Sequence, residues 1–136
     1  MNDCIFCKIV SKEIPAEIFY ENEHIIAFLD IKPINPGHSL IVPKKHTKDI
    51  FEASDETLAA IAQGIKHLGT TLKKVVGADG LNVGVNNGES AGQIVFHLHT
   101  HLIPRFKDDG LKSWERGDST IFPDKDELLE KIKKSL

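Results

Sequence analysis

The sequence predicts an α+β fold in which one long helix lies across an antiparallel sheet. Two observations carry this. Short apolar runs follow one another across hairpin-length polar links, so neighbouring strands run in opposite directions, and one long stretch keeps the three-and-four apolar spacing of a single amphipathic helix. The 136 residues hold no repeat, low-complexity tract or linker, so 1–136 is expected to be one domain. That length buries roughly two-thirds of the unfolded surface without a disulfide framework.

Ile18 to Tyr20 and His24 to Leu29 read as strands joined at Glu21-Asn22-Glu23, an early hairpin. Pro33, Pro36 and Gly37 make a loop, and His38 to Val42 is a buried strand that Pro43 ends. Ser54 starts the helix, because its hydroxyl caps free N–H groups while Asp55 and Glu56 face the positive end. Leu58, Ile61, Ala62, Ile65, Leu68, Leu72, Val75 and Val76 form its apolar stripe, and Gly77 stops it. Leu81 to Val85 returns to strand, Asn86 to Gly92 is a glycine-containing loop, and Ile94 to Pro104 is a second long strand. Asp124 and Glu127 form a capping pair ahead of Leu128, Leu129 and Ile132, a short C-terminal helix. Arg105 to Pro123 has no clear period.

An apolar fraction of 40% and a charged fraction of 27% are ordinary for a globular chain and name no function. A net charge of -3 with no clustered basic face argues against nucleic acid as a partner and leaves a small nucleotide open. No stretch approaches the ~20 apolar residues of a membrane span, and the first residues lack a secretory signal, so the expected compartment is the cytoplasm.

Chemistry concentrates in His97-Leu98-His99-Thr100-His101. On a strand the three imidazoles project from one face at intervals of about 7 Å, while Leu98, Thr100 and Leu102 face the other. Imidazole changes charge near neutral pH, so such a row can combine nucleophile, hydrogen-bond donor and proton carrier at a phosphorus centre. Gly88 and Gly92 would let backbone N–H groups approach phosphate oxygens. Cys4 and Cys7 are too close to staple a fold; their spacing suits one tetrahedral zinc, a redox pair, or two packed thiols.

These residues resemble the histidine triad family, whose signature alternates histidine with apolar residues, here His97 to Ile103. The similarity extends to Cys4-Ile5-Phe6-Cys7-Lys8-Ile9, Glu13-Ile14-Pro15-Ala16, Ala27-Phe28-Leu29-Asp30-Ile31, Pro36-Gly37-His38, Val42-Pro43-Lys44-Lys45-His46 and Gly92-Gln93. The motif-bearing part is 4–104, with 105–136 a C-terminal tail.

The resemblance implies a five-stranded antiparallel sheet with one long helix and a short one, paired as a homodimer. It implies hydrolysis of nucleoside phosphates through a nucleotidyl-histidine, as in the nucleoside phosphoramidase branch. His99 is the expected nucleophile, His101 holds phosphate oxygens, and His97 and His38 complete the catalytic set. Asp30 resembles the acid that binds ribose hydroxyls; Ile5, Phe6, Ile9, Phe28 and Ile31 resemble the walls around the base; Asn86 and Gln93 match polar positions beside the phosphate. Some members complete a structural zinc with the histidines that correspond to His46 and His97, beside Cys4 and Cys7; no organic cofactor is implied. Ile94 departs from the phosphoramidase branch, which often places a serine there beside the leaving group. The alternatives are the Fhit-like cleavage of dinucleoside polyphosphates, transfer of the nucleotide to phosphate or a sugar phosphate, and a nucleotide-binding regulatory protein.

Overall fold

The computed structural model describes residues 3–112, 114 and 116–136. Met1 and Asn2, read above as part of a start without a secretory signal, lie outside the described residues. The strands are β1 (Ile18–Glu21), β2 (Ile25–Leu29), β3 (Ser39–Pro43), β4 (Gly80–Gly84) and β5 (Thr100–Arg105), and the helices are α1 (Ile5–Val10), α2 (Asp55–Val76) and α3 (Lys125–Ser135). The strands form one antiparallel sheet in the order β1-β2-β3-β5-β4. β3 sits at its centre and is buried at every position, which explains an unbroken apolar run where an edge strand would alternate.

Both faces of the sheet are covered. Ile25, Ala27, Ile41, Leu98 and Leu102 pack with Ile61, Leu68 and Leu72 of α2. The alternate residues Ile26, Phe28, Leu40 and Val42 pack with Phe6 and Ile9 of α1. Since Leu102 faces α2, the period of two turns His101 to the opposite face. The histidine row thus lies on the side away from the long helix.

Ser54 caps α2 by accepting from Thr57 N–H, and Gly77 ends it in a left-handed conformation at φ 69°. The apolar stripe needs two corrections. Ala62 and Val75 face solvent, whereas Gly64 and Gly69 are buried. A Cβ on Gly64 would lie 2.6 Å from Ile25 Cδ1, and one on Gly69 2.7 Å from Leu81 Cδ2. The helix seats against the sheet on these two glycines, a role that a hydrophobicity pattern does not register.

The second long strand is also shorter than expected. Ladder pairing starts at Thr100 and runs to Arg105, not from Ile94 to Pro104. Upstream, Leu98 N–H donates to Thr47 O at 2.7 Å and the His97 ring reaches Pro43 O, so the segment is held by a loop and a strand end rather than a ladder. Side chains there still alternate between the two covered faces, Leu98 toward α2 and His97 and His99 toward Phe6 of α1. α1 is absent from the sequence expectation altogether: Cys4 Sγ caps it by accepting from Cys7 N–H at 3.4 Å. α3 forms as expected, capped by Asp124, but Leu128, Leu129 and Ile132 remain 43%, 46% and 48% exposed.

Thr100 is fully buried beneath the histidine row, and its Oγ1 has no hydrogen-bond partner among the described residues. An unpaired buried hydroxyl costs about 1 kcal/mol or more, and valine fills the same volume without it. Thr100→Val is expected to raise the thermal midpoint by a few degrees with turnover unchanged, as read by calorimetry. A lower midpoint would mean that the hydroxyl is satisfied.

Candidate functional site

Backbone groups fix the protonation pattern of the imidazoles. His99 Nδ1 lies 2.8 Å from His97 O; a carbonyl only accepts, so Nδ1 carries the hydrogen and Nε2 keeps its lone pair. His38 is set the opposite way. Ile34 N–H donates to its Nδ1 at 3.0 Å, which places the hydrogen on Nε2. That Nε2 is 2.9 Å from His101 Nδ1 and 3.4 Å from Asp30 Oδ2. His101 Nδ1 therefore accepts, and its Nε2 carries a hydrogen. Two adjacent rings, with centroids 5.2 Å apart, offer a nucleophilic lone pair on His99 and an N–H on His101.

Burial, reinforced by His99 and His38 nearby, pushes His101 down to about 4, and burial lowers His38 despite the Asp30 carboxylate beside it. Both rings are neutral near pH 7. A ring with a lower pKa folded than unfolded binds fewer protons in the native state between the two values, so stability rises with pH across that window. For His101 the contribution is present above the ordinary 6.5 and is lost as pH falls toward about 4. It amounts to on the order of 3 kcal/mol. Denaturant midpoints measured from pH 7 to pH 4 should decline, and His101→Asn should flatten the decline.

Phe6 stands edge-on to His99 at 5.0 Å between ring centroids and to Phe28 at 5.8 Å. Phe6, Ile9 and Phe28 are buried members of the α1-face core, whereas Ile5 and Ile31 are exposed. Asp30 follows β2; its Oδ1 accepts from Lys32 N–H at 2.8 Å while Oδ2 faces His38.

The phosphate-side expectations divide. Asn86 is exposed, with its amide 3.5 Å from Gly92 O. Gln93 is buried, and its amide is engaged by Gly88 N–H, Lys48 O and Val95 O at 2.8, 2.7 and 3.0 Å. It ties the loop together. Gly88 and Gly92 both have φ 93°, which explains glycine there. Their own N–H groups are taken by Gln93 Oε1 and Glu89 O.

Sequence reasoning left the first part of the tail, Arg105 to Pro123, without a reading, and Arg105 to Trp114 contributes to the site. That stretch lines a cleft of about 560 Å³ beside His101, with Asn82, Gly84 and Ile103 along the sheet and Leu111, Lys112 and Trp114 opposite. Arg105 also borders it, but its guanidinium is engaged by Asp109, Asn82 and Leu111 O. Ile94 is 87% exposed. His24 lies against Glu23, and His67 stacks edge-on to Tyr20; neither joins the row.

A second cluster could hold a metal ion: Cys4, Cys7, His46 and His97. His97 Nε2 lies 2.8 Å from Pro43 O and so carries the hydrogen, leaving Nδ1 with its lone pair toward the cysteines. His97 Nδ1 is 3.3 Å from Cys4 Sγ, 3.5 Å from Cys7 Sγ and 3.1 Å from His46 Nδ1, and Cys7 Sγ is 3.3 Å from that same His46 atom. Tetrahedral zinc separates two nitrogens by about 3.3 Å and a sulfur from a nitrogen by about 3.5 Å. The donors fit. Burial and the adjoining Cys4 push the Cys7 thiol up to about 11, so loading a metal would release its proton. Asp30, His38 and His101 also approach one another closely. There the Ile34 N–H already occupies His38 Nδ1, which keeps the hydrogen on the nitrogen that a metal would need.

A family model described as HIT domain matches residues 11–108. The chain belongs to the HIT family. It is 52% identical over 107 residues to a HIT-like protein of Methanocaldococcus jannaschii, covering 79% of this chain and 82% of that one. The HIT relative named adenylylsulfatase HINT3, from Arabidopsis thaliana, is 41% identical over 110 residues, 81% of this chain and 56% of its own. The adenosine 5'-monophosphoramidase hnt1 of Schizosaccharomyces pombe is 43% identical over 102 residues, 75% of this chain and 74% of its own. Among solved HIT-like structures, SMU.412c from Streptococcus mutans superposes with a TM-score of 0.90 at 41% identity, covering 99% of this chain and 86% of that one. A zinc-bound histidine triad protein from Mycobacterium smegmatis has a TM-score of 0.78 at 35% identity and covers 99% of both chains. The enzyme names of two of these relatives support hydrolase activity within the HIT family. No helix among the described residues is long and apolar enough to cross a membrane.

Proposed function

We propose that this protein cleaves nucleoside monophosphates from a leaving group through a covalent nucleotide on His99. The observation that carries the reading is the lone pair left on His99 Nε2 by the 2.8 Å contact of Nδ1 with His97 O. In this reading Nε2 forms a bond to phosphorus as the bond to the leaving group breaks, and water then adds at phosphorus to free the ring. His101 Nε2–H holds a phosphate oxygen. Asp30 binds the ribose hydroxyls, and Asn86 lies beside the phosphate. Ile5 and Ile31 shape the exposed part of the base pocket over Phe6, Ile9 and Phe28. Gln93 acts through the loop it holds. Ile94 has no proton to give, which favours leaving groups that depart as stable anions or as amines already protonated.

Zinc would be held by Cys4, Cys7, His46 and His97, with all four positions filled by protein, so it would anchor the triad segment structurally. We read 1–136 as one HIT domain of a cytoplasmic homodimer. β4 ends one side of the sheet and α3 carries an apolar stripe, both of which a second copy would cover. Brief incubation with a nucleoside phosphoramidate, followed by intact mass measurement, tests the chemistry. A gain of one nucleoside monophosphate in wild type, absent in His99→Asn, is expected; equal labelling of both would assign the bond elsewhere.

A further inference from the structure

We infer that His38 is a positioning residue that links ribose recognition at Asp30 to the hydrogen-bonding state of His101, making the site selective for ribonucleotides over their deoxy counterparts. The inference rests on the nucleotide reading of the site. His38 is 3% exposed and cannot meet substrate freely. Its Nδ1 is fixed as an acceptor by Ile34 N–H at 3.0 Å, so its single N–H, on Nε2, has two neighbours to serve. His101 Nδ1 is 2.9 Å away and Asp30 Oδ2 is 3.4 Å away.

The carboxylate that attracts that hydrogen is also the group read as the ribose acid. Asp30 has one oxygen free for hydroxyls, because Oδ1 is held by Lys32 N–H at 2.8 Å. Asp30 N–H also donates to His38 O at 2.9 Å, so the two residues cannot drift apart. When ribose hydroxyls donate to Oδ2, its pull on the His38 hydrogen weakens and the bond to His101 Nδ1 becomes the sole claim. His101 is then held more firmly in the form that presents Nε2–H. A substrate without those hydroxyls leaves the hydrogen shared. Ribose would thereby contribute to the chemical step and not only to affinity.

Ring nitrogen spectra of the 15N-labelled full chain test this without turnover. The expected result is an Nε2–H form for His38, ring signals of both His38 and His101 that move on adding adenosine 5'-monophosphate, and no movement of His38 with the 2',3'-dideoxy analogue. Equal His38 movement with both compounds, or an Nδ1–H form of His38, overturns the linkage. No response of any ring to either compound overturns the nucleotide reading itself. Kinetics give a second readout. Removing the hydroxyls from a phosphoramidate substrate is expected to lower wild-type kcat about tenfold, and His38→Gln should remove that difference while KM still distinguishes the two. A kcat ratio unchanged in His38→Gln, with that variant folded by circular dichroism, overturns the proposal.

Discussion

His99→Asn is expected to lose turnover by on the order of 10³-fold or more while binding adenosine 5'-monophosphate within a few-fold of wild type. Asparagine keeps an amide N–H near the position from which His99 Nδ1 reaches His97 O at 2.8 Å, so the local hydrogen bond and much of the packing against Phe6 survive. What it lacks is a second nitrogen with a lone pair. Since an amide cannot form the phosphorus bond, the loss falls on kcat, whereas the base contacts proposed for Phe6, Phe28 and Ile9 do not involve the substituted side chain. Steady-state rates with a phosphoramidate and calorimetric titration with adenosine 5'-monophosphate separate the two effects. If kcat fell only a few-fold, direct attack by water would replace the covalent route.

The histidine row and the long helix were legible because each is a local pattern. Alternation places His97, His99 and His101 opposite Leu98 and Leu102 even where the ladder has given way, and a strand-length error at Ile94 to His99 did not disturb that assignment. The Cys4, Cys7, His46 and His97 quartet was legible only through family resemblance, since sequence spacing left a redox pair and packed thiols open. Elements built from tertiary contacts were not legible. Six residues are too few for a helical period to emerge, so α1 was hidden, and its apolar residues Phe6 and Ile9 are buried in the core. Gly64 and Gly69 look like weak points in a helix until the sheet beneath them is known. The family resemblance sets Gln93 beside the phosphate, yet Lys48 O, distant in sequence, claims its amide. The same holds for His38: no pattern in the chain says that Ile34 N–H will settle which ring nitrogen carries the hydrogen.

Removing zinc should destabilise the protein more than any surface change, because the quartet joins α1, the segment after β3 and the triad segment, three parts of the chain with no ladder between them. Where free zinc exceeds the dissociation constant by a thousandfold, bound metal contributes about 4 kcal/mol. For a chain of this length its loss lowers the thermal midpoint by roughly 10–20 °C. The double variant Cys4→Ser, Cys7→Ser should carry no zinc by metal analysis, against one per chain in wild type, and should melt where chelator-treated wild type melts. Activity should fall as well, though by less than in His99→Asn. The route would run through one residue: His97 would hold the metal with its ring, and its carbonyl oxygen holds His99 Nδ1–H, so freeing the ring would loosen the group that keeps the proposed nucleophile in its reactive form. If chelation leaves the midpoint unchanged and metal analysis finds no zinc, the two cysteines are packed thiols, and Pro43 O alone orients His97.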